Sequence, residues 1–481
     1  MSYISLNFWL FVGIGAILYL NVPHKYQIYT LLGLNVIFYA AADIRCFVFL
    51  TFSIISTWIA GMLISRKKLK RIKKYILIGT ITINIAILLF LKFYNYSIGL
   101  WNEYTNAFHL PYINVIVPLG ISFYTLQAVS YCIDIYRREI SYEKNVIVYA
   151  AYMSYFPTIV QGPIVRYNDM KEQIKKHHPW DYDRVKFGVQ LILYGVFKKL
   201  VVADRAALCV NDVFQNYNMY SKVWIVLGVV LYSIQIYADF SGCVDVCRGV
   251  SQIFGIEIIN NFNTPYFAVS IKDFWRRWHI SFSSWLRDYV YIPLGGNRKG
   301  KIRKYINLLL TFLVSGIWHG VGIHYLVWGI IHGLYQVIGE VFAPIRKKMI
   351  KLLSINTEVF SYKLMQQICT FGLVSFAWIF FRANGMREVM QLFRAIMNNA
   401  WLMSFSAQQA FSEKDFFVLL VAIFIIFSIS LLQQKMCIRE KVAKQNLWFR
   451  WLIYFVGIFS ILIFGVYGSG YSNETFIYMQ F

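Results

Sequence analysis

Long apolar runs recur along the whole chain, at 3–20, 27–42, 46–64, 75–94, 112–135 and 145–164, and again at 185–209, 223–240, 305–318, 322–343, 364–382, 415–432 and 448–467. A helix needs about twenty apolar residues to cross a bilayer core, so this pattern predicts a bundle of membrane-spanning helices. Charge agrees with it. Only 15% of the 481 residues are charged and 58% are hydrophobic, whereas soluble domains carry roughly 25% charged residues. The chain has too few charges to cover a water-facing surface. Because several runs are short, the expected fold is all-α and polytopic, with about eleven transmembrane helices plus re-entrant or interfacial ones. A bundle of this kind is expected to form a single domain over 1–481.

Lys and Arg number 47 against 23 Asp and Glu, a formal charge of +24. These basic residues sit in short clusters between apolar runs, as the positive-inside rule expects. No soluble basic domain exists to bind nucleic acid, so that function class is excluded. The cluster 66–74 holds seven basic residues in nine positions and is assigned to the cytoplasm. Counting spans back from it places the N-terminus outside. Counting forward returns Arg137 and Arg138 to the cytoplasm. The clusters 298–304, 346–351 and 435–441 fit the same assignment, which puts the C-terminal tail outside as well. Residues 1–20 carry no basic n-region and read as a retained first span. The basic loop 166–184 reads as interfacial, in contact with lipid headgroups or an anionic ligand. The seven cysteines form no CxxC and no closely spaced framework, and read as buried free thiols.

The stretch 273–333 breaks the apolar pattern. It opens on Asp273-Phe-Trp-Arg-Arg-Trp-His279 and passes the turn Pro293-Leu-Gly-Gly-Asn297. After the basic run 298–304 it enters an apolar segment ending at Trp318-His319-Gly320. Ionisable groups at membrane depth are costly and default to functional hypotheses. Fourteen helical residues, 305–318, rise roughly 21 Å of a core about 30 Å thick. His319 is therefore expected deep, towards the outer leaflet, at a glycine-rich junction. An imidazole there can take a proton from a hydroxyl nucleophile and return it to a leaving group; the structural alternative is a histidine satisfied by a carbonyl. Around His279, Arg276 and Arg277 offer forked donors to phosphate or carboxylate, and tryptophan faces can stack on a donor. An amphipathic interfacial anchor would use the same residues.

Other chemistries fare worse. HExxH is absent, and His319, His324 and His332 do not share one helical face, so no metal site is expected. No G-x-S-x-G elbow, P-loop or G-x-G-x-x-G occurs. A transporter or scaffold stays open, because buried polar groups also mark substrate paths.

Several segments resemble the membrane-bound O-acyltransferase (MBOAT) family, in its alginate O-acetyltransferase (AlgI-like) branch, related to the D-alanyl-transferring and peptidoglycan-acetylating branches. They are Asp273-Phe-Trp-Arg-Arg-Trp-His-Ile-Ser281, Trp285 through Arg298, Trp318-His-Gly320 and Trp328-Gly-Ile-Ile-His-Gly333. Upstream, Pro118 through Gln127, Phe156-Pro157 with Gln161-Gly-Pro163, and Tyr237-Ala-Asp-Phe-Ser-Gly242 are similar, as is the tail 476–481. The resemblance implies helices around a central tunnel, with a catalytic core at about 112–343. It places the catalytic positions on His319 and His279, and donor or substrate contacts on Asp273, Arg276, Arg277, Trp278 and Trp318. It implies no resident cofactor; acetyl-CoA or another acyl thioester would be the donor substrate. The expected activity is acetyl transfer across a bacterial plasma membrane for O-acetylation of an extracellular polysaccharide. An extracytoplasmic SGNH-type partner and the polysaccharide synthesis machinery would be its partners. D-alanyl transfer to teichoic acid and peptidoglycan O-acetylation are the alternatives.

Overall fold

The computed structural model describes residues 3–105, 108–114, 116–401 and 411–467. Among them every regular element is helical, apart from an isolated antiparallel bridge between Phe262 and Trp278. The chain divides into two compact units, one of residues 1–192 with 246–259 and the other of 193–245 with 260–481.

The first unit contains α1 (Leu6–Asn21), α2 (His24–Ala40), α3 (Phe47–Arg66), α4 (Lys70–Tyr104), α5 (Ile121–Arg137), α6 (Val146–Met153) and α7 (Tyr167–Lys175), with most of α8 (Tyr182–Phe197). Local chemistry sets the ends. The Ser5 hydroxyl accepts from Phe8 N (3.3 Å) to cap α1, and Asn145 Oδ1 accepts from Ile147 N (2.9 Å) to cap α6, as short polar side chains do at helix starts.

The apolar run 145–164 does not make a span. Its helix stops at Met153, and Pro157 and Pro163 lack the N–H that a longer helix would need. The non-helical backbone that follows is buried, and side chains from elsewhere in the unit satisfy it. Asn35 Oδ1 accepts from Phe156 N (3.0 Å), and the Tyr3 hydroxyl donates to the Phe156 carbonyl (3.2 Å). Irregular backbone at membrane depth is tolerated only with such partners. The run 112–135 is shortened likewise: α5 starts at Ile121, after Gly120 at φ +73°, where a Cβ would lie 1.9 Å from the Ile159 carbonyl oxygen.

The loop 166–184 also turns inward in part. His178 is buried, and its backbone exchanges hydrogen bonds with the Gln27 amide (3.0 and 2.9 Å). Nearby, Glu143 accepts from Lys175 (2.7 Å) and from the Tyr167 hydroxyl, closing the 138–145 loop onto α7. Burial pushes the Glu143 carboxyl up, and the hydrogen bonds from Lys175, Tyr167 and Asn145 N more than offset that, so it lies below its ordinary value. The carboxylate is thus more stable folded than unfolded. Its contribution is present above the unfolded value of about 4.3 and is lost as pH falls through the lower folded value. Glu143→Gln is expected to flatten the acid limb of the detergent-solubilised protein's stability curve between pH 5 and 3; an unchanged limb would remove the ion pair from the account.

The second unit carries the rest. A π-helical turn, Lys198–Ala203, leads from α8 into α9 (Asp204–Gln215), and α10 (Lys222–Ile253) follows, its residues from Val246 onward belonging to the first unit. Next come the short α11 (Ile271–Arg277) and α12 (Ile280–Leu286), a second π-helical turn at Arg287–Tyr291, and then α13 (Lys301–His319) and α14 (Ile323–Val341). The unit closes with α15 (Ala343–Leu352), α16 (Phe360–Arg382), α17 (Met386–Asn398), α18 (Glu413–Gln433), α19 (Ile438–Ala443) and α20 (Leu447–Phe464). Among the described residues, six helices are long and apolar enough to cross a membrane, α3, α4, α10, α16, α18 and α20. The pair α14–α15, bent by 47°, would make a seventh. The tail motif 476–481 lies outside the described residues. Five cysteines are buried, as expected of core thiols, but Cys369 and Cys437 are exposed.

Candidate active site

His279 sits at the junction of α11 and α12 and is 1% exposed. Its backbone is left-handed, φ 45° and ψ 54°. A non-glycine residue held there costs roughly 1–3 kcal/mol and persists only where its surroundings enforce it. Enforcement comes from the 260–264 segment, which runs alongside. The Asn261 carbonyl accepts from Ile280 N (3.1 Å), its Oδ1 accepts from Ser281 N (3.0 Å), and Asn263 N donates to the Arg277 carbonyl (2.9 Å). Ser270 caps α11 by accepting from Asp273 N (3.1 Å), and α11 ends on Arg276 and Arg277, the favourable sign for a helix C-terminus. Asn261→Ala removes an acceptor from a buried amide, an expected loss of about 1–3 kcal/mol. It would appear as a lowered thermal midpoint; an unshifted midpoint would show that the clamp is dispensable.

His319 is the last residue of α13, 2% exposed. Close approach of α13 and α14 puts it there. A Cβ on Gly316 would lie 2.4 Å from the Tyr325 carbonyl oxygen, and one on Gly329 would lie 2.3 Å from the Phe312 carbonyl oxygen. Small residues at a membrane helix pair permit this spacing.

The structure brings the two histidines together across two shared rings. Phe282 lies 5.1 Å from His279 and 5.4 Å from His319, centroid to centroid, and Trp318 lies 6.2 and 4.9 Å from them. Phe282 and Trp318 stack on each other at 4.3 Å. Phe240 of α10 closes the far side of His279 at 4.8 Å, and Trp328 and Phe381 flank His319 at 5.0 and 5.3 Å. Forty residues of sequence separate two imidazoles that share one aromatic pocket.

The other candidates divide. Trp318 belongs to that pocket. Trp278 is 1% exposed and packs among Phe262, Phe274 and Trp378 at 5.0–5.4 Å, as part of the core. Asp273 and Arg277 pair with each other (3.0 Å) one turn apart, and Asp273 also accepts from Val269 N (3.2 Å). Both therefore brace α11. Arg276 is exposed.

Two features of this region have partners that the sequence does not announce. A third histidine, His332, is fully buried behind Trp328 and accepts at Nδ1 from the Trp275 indole N–H (3.2 Å). An indole nitrogen only donates, so Nδ1 is the unprotonated nitrogen. This bond ties α11, which leads into His279, to α14, which packs behind His319. The second is a buried charge cluster. Lys199 contacts Asp204 (2.7 Å) and Asp239 (2.8 Å), while Lys198 contacts Asp245 (2.6 Å) and Ser241 (2.9 Å). Asp239 immediately precedes Phe240, the wall of His279. The signal was available: Lys198 and Lys199 in the middle of the run 185–209, and Asp239 and Asp245 inside a spanning helix, are ionisable groups at membrane depth.

The chain also matches known proteins in sequence. The family model for MBOAT, the membrane-bound O-acyltransferase family, matches residues 121–381, which contain both histidines and their aromatic pocket. The chain is 33% identical to the probable alginate O-acetylase AlgI of Pseudomonas syringae pv. tomato, over 81% of this chain and 74% of that one. It is 30% identical to the peptidoglycan O-acetyltransferase of Helicobacter pylori, over 76% and 72%. It is 31% identical to the teichoic acid D-alanyltransferase of Bacillus subtilis, over 50% and 63%. All three relatives are acyl-transferring enzymes by name. With its apolar spanning helices and a family match covering more than half its length, this chain belongs to the membrane-bound O-acyltransferase family and is a multi-pass membrane acyltransferase.

Proposed function

We propose that the protein moves an acetyl group from a cytoplasmic thioester, acetyl-CoA or an equivalent, across a bacterial plasma membrane for O-acetylation of an extracellular polysaccharide. The observation that carries this reading is the pair of buried imidazoles, His279 and His319, in one aromatic pocket within the matched region. The relatives named as O-acetylating enzymes extend over more of the chain than the D-alanylating one, which favours acetyl as the group moved.

In this mechanism His319 accepts the proton of an attacking hydroxyl as its oxygen bonds to the thioester carbonyl carbon. The tetrahedral intermediate collapses by breaking the carbon–sulfur bond, and the imidazolium returns its proton to the departing thiolate. His279 orients the reacting carbonyl or hydrogen-bonds the intermediate. The shared pocket of Phe240, Phe282 and Trp318 excludes water that would otherwise hydrolyse the thioester. Arg276, exposed near the end of α11, would offer its guanidinium to an anionic part of the donor. An extracytoplasmic SGNH-type protein would complete delivery, and both termini would face outside.

Inverted membrane vesicles supplied with acetyl-labelled CoA test the reading. Label is expected to reach an extracytoplasmic acceptor in vesicles containing the protein and not in vesicles lacking it. The D-alanyl reading, supported by the 31% identity over half the chain, predicts label only from a D-alanyl thioester carrier.

A further inference from the structure

A cavity lies within the same unit as the two histidines. It encloses about 720 Å³ between the first half of α16, the last half of α18 and the 264–267 turn. That volume lies in the range of roughly 300–1,000 Å³ typical of ligand sites. Phe371, Ile423 and Ile426 form its walls, and Tyr237 and Tyr266 its floor. Neither His279 nor His319 lines it. The floor tyrosines instead pack on Trp278, at 6.3 and 6.1 Å.

Two of its polar residues come from helix ends. Lys363, near the start of α16, and Gln434, at the end of α18, both line it, so the beginning of one spanning helix and the end of the other meet at its mouth. The chain flanking that mouth is basic. Residues 343–363 hold five Lys or Arg against one Glu, and 434–450 hold another five against one Glu. Lys363 pairs with Glu358 (2.9 Å), but both side chains are exposed, and such pairs contribute little and exchange readily. Inside, the Gln367 amide is already committed to the Phe267 carbonyl (3.2 Å). A guest bearing amides, such as a pantetheine arm, would find few partners here. A hydrocarbon chain needs none.

We propose that this cavity holds an acyl chain of an anionic phospholipid from the surrounding bilayer, with the headgroup phosphate at the basic collar around Lys363. Each basic residue near an anionic surface adds about 1 kcal/mol of attraction, and the apolar walls accept the tail. A seated lipid presses on Tyr237 and Tyr266, and through them on Trp278, the residue before His279. Bilayer composition is thereby coupled to the packing behind the reaction centre.

Full-length protein reconstituted in nanodiscs with a phosphatidylglycerol carrying a photoactivatable acyl chain tests this, with phosphatidylcholine bearing the same chain as comparison. Peptides from 360–371 and 423–434 are expected to take up the label at least five-fold more from phosphatidylglycerol. Ile426→Trp, which fills the cavity, is expected to abolish that label while the rest of the protein labels as before. Unlabelled phosphatidylglycerol is expected to compete in the unmodified protein, so the result does not depend on the variant folding. Equal labelling by both lipids, or displacement of the label by acetyl-CoA, would overturn the proposal; displacement would make the cavity a donor channel. His319→Ala is expected to keep the label whatever its effect on transfer, so failure here and failure of the proposed reaction are told apart.

Discussion

Replacing His319 by alanine is expected to cut acyl transfer by about 10²–10⁴-fold, the usual contribution of a positioned general base. His319 is the polar group buried at the end of α13, against Phe282, Trp318, Trp328 and Phe381. Alanine leaves a void among those rings, so a stability loss would accompany the catalytic one. His319→Gln fills most of the void and cannot shuttle the proton. If the reading is right, both variants lose transfer in the vesicle assay, while the glutamine variant keeps a near-native thermal midpoint. Wild-type transfer by either variant would remove His319 from the chemistry. Loss of flux with covalent transfer intact would instead favour a transport role.

The second large effect lies away from the histidines. Lys199→Met leaves Asp204 and Asp239 buried without their cation, and breaking a buried pair by removing one partner costs about 3–5 kcal/mol. The midpoint of thermal unfolding in detergent is expected to fall by many degrees. Adding Asp239→Asn removes one stranded charge and is expected to recover part of the loss, which a general packing defect would not allow. Transfer is expected to fall as well, because Asp239 is bonded in sequence to Phe240, whose ring meets His279 at 4.8 Å. A Lys199→Met protein of unchanged midpoint would show that the cluster is solvated in the membrane-embedded state.

Much of the fold was legible before any coordinates. Apolar runs between basic clusters are a one-dimensional signal, because a spanning helix satisfies its own backbone and needs only length and hydropathy. The runs at 46–64, 75–94, 223–240, 364–382, 415–432 and 448–467 all became spanning helices. In the runs 112–135 and 145–164, glycine or proline removed that self-sufficiency. The 145–164 segment broke at Met153, and its backbone then depended on Asn35 and Tyr3, partners more than a hundred residues away. No local pattern announces such partners.

The candidate site shows the same division. Composition and spacing singled out His319 and His279 as costly groups in an apolar chain, and the resemblance around them named a reaction class. Their shared aromatic pocket, the clamp by Asn261 on the left-handed turn at His279, and the link from Trp275 to His332 all join distant segments. The same holds for the pairing of Lys198 and Lys199 with aspartates on α10. The sequence by itself determined that this chain must live in a membrane, roughly where it crosses, and which ionisable residues carry too high a desolvation cost to be incidental. Tertiary structure alone decided which of them meet, because close helix approach through Gly316 and Gly329 and a buried polar clamp are properties of pairs of segments. It also turned Trp278 into the core, since burial depends on neighbours that a linear pattern does not contain, whereas the Asp273–Arg277 pair lies one helical turn apart.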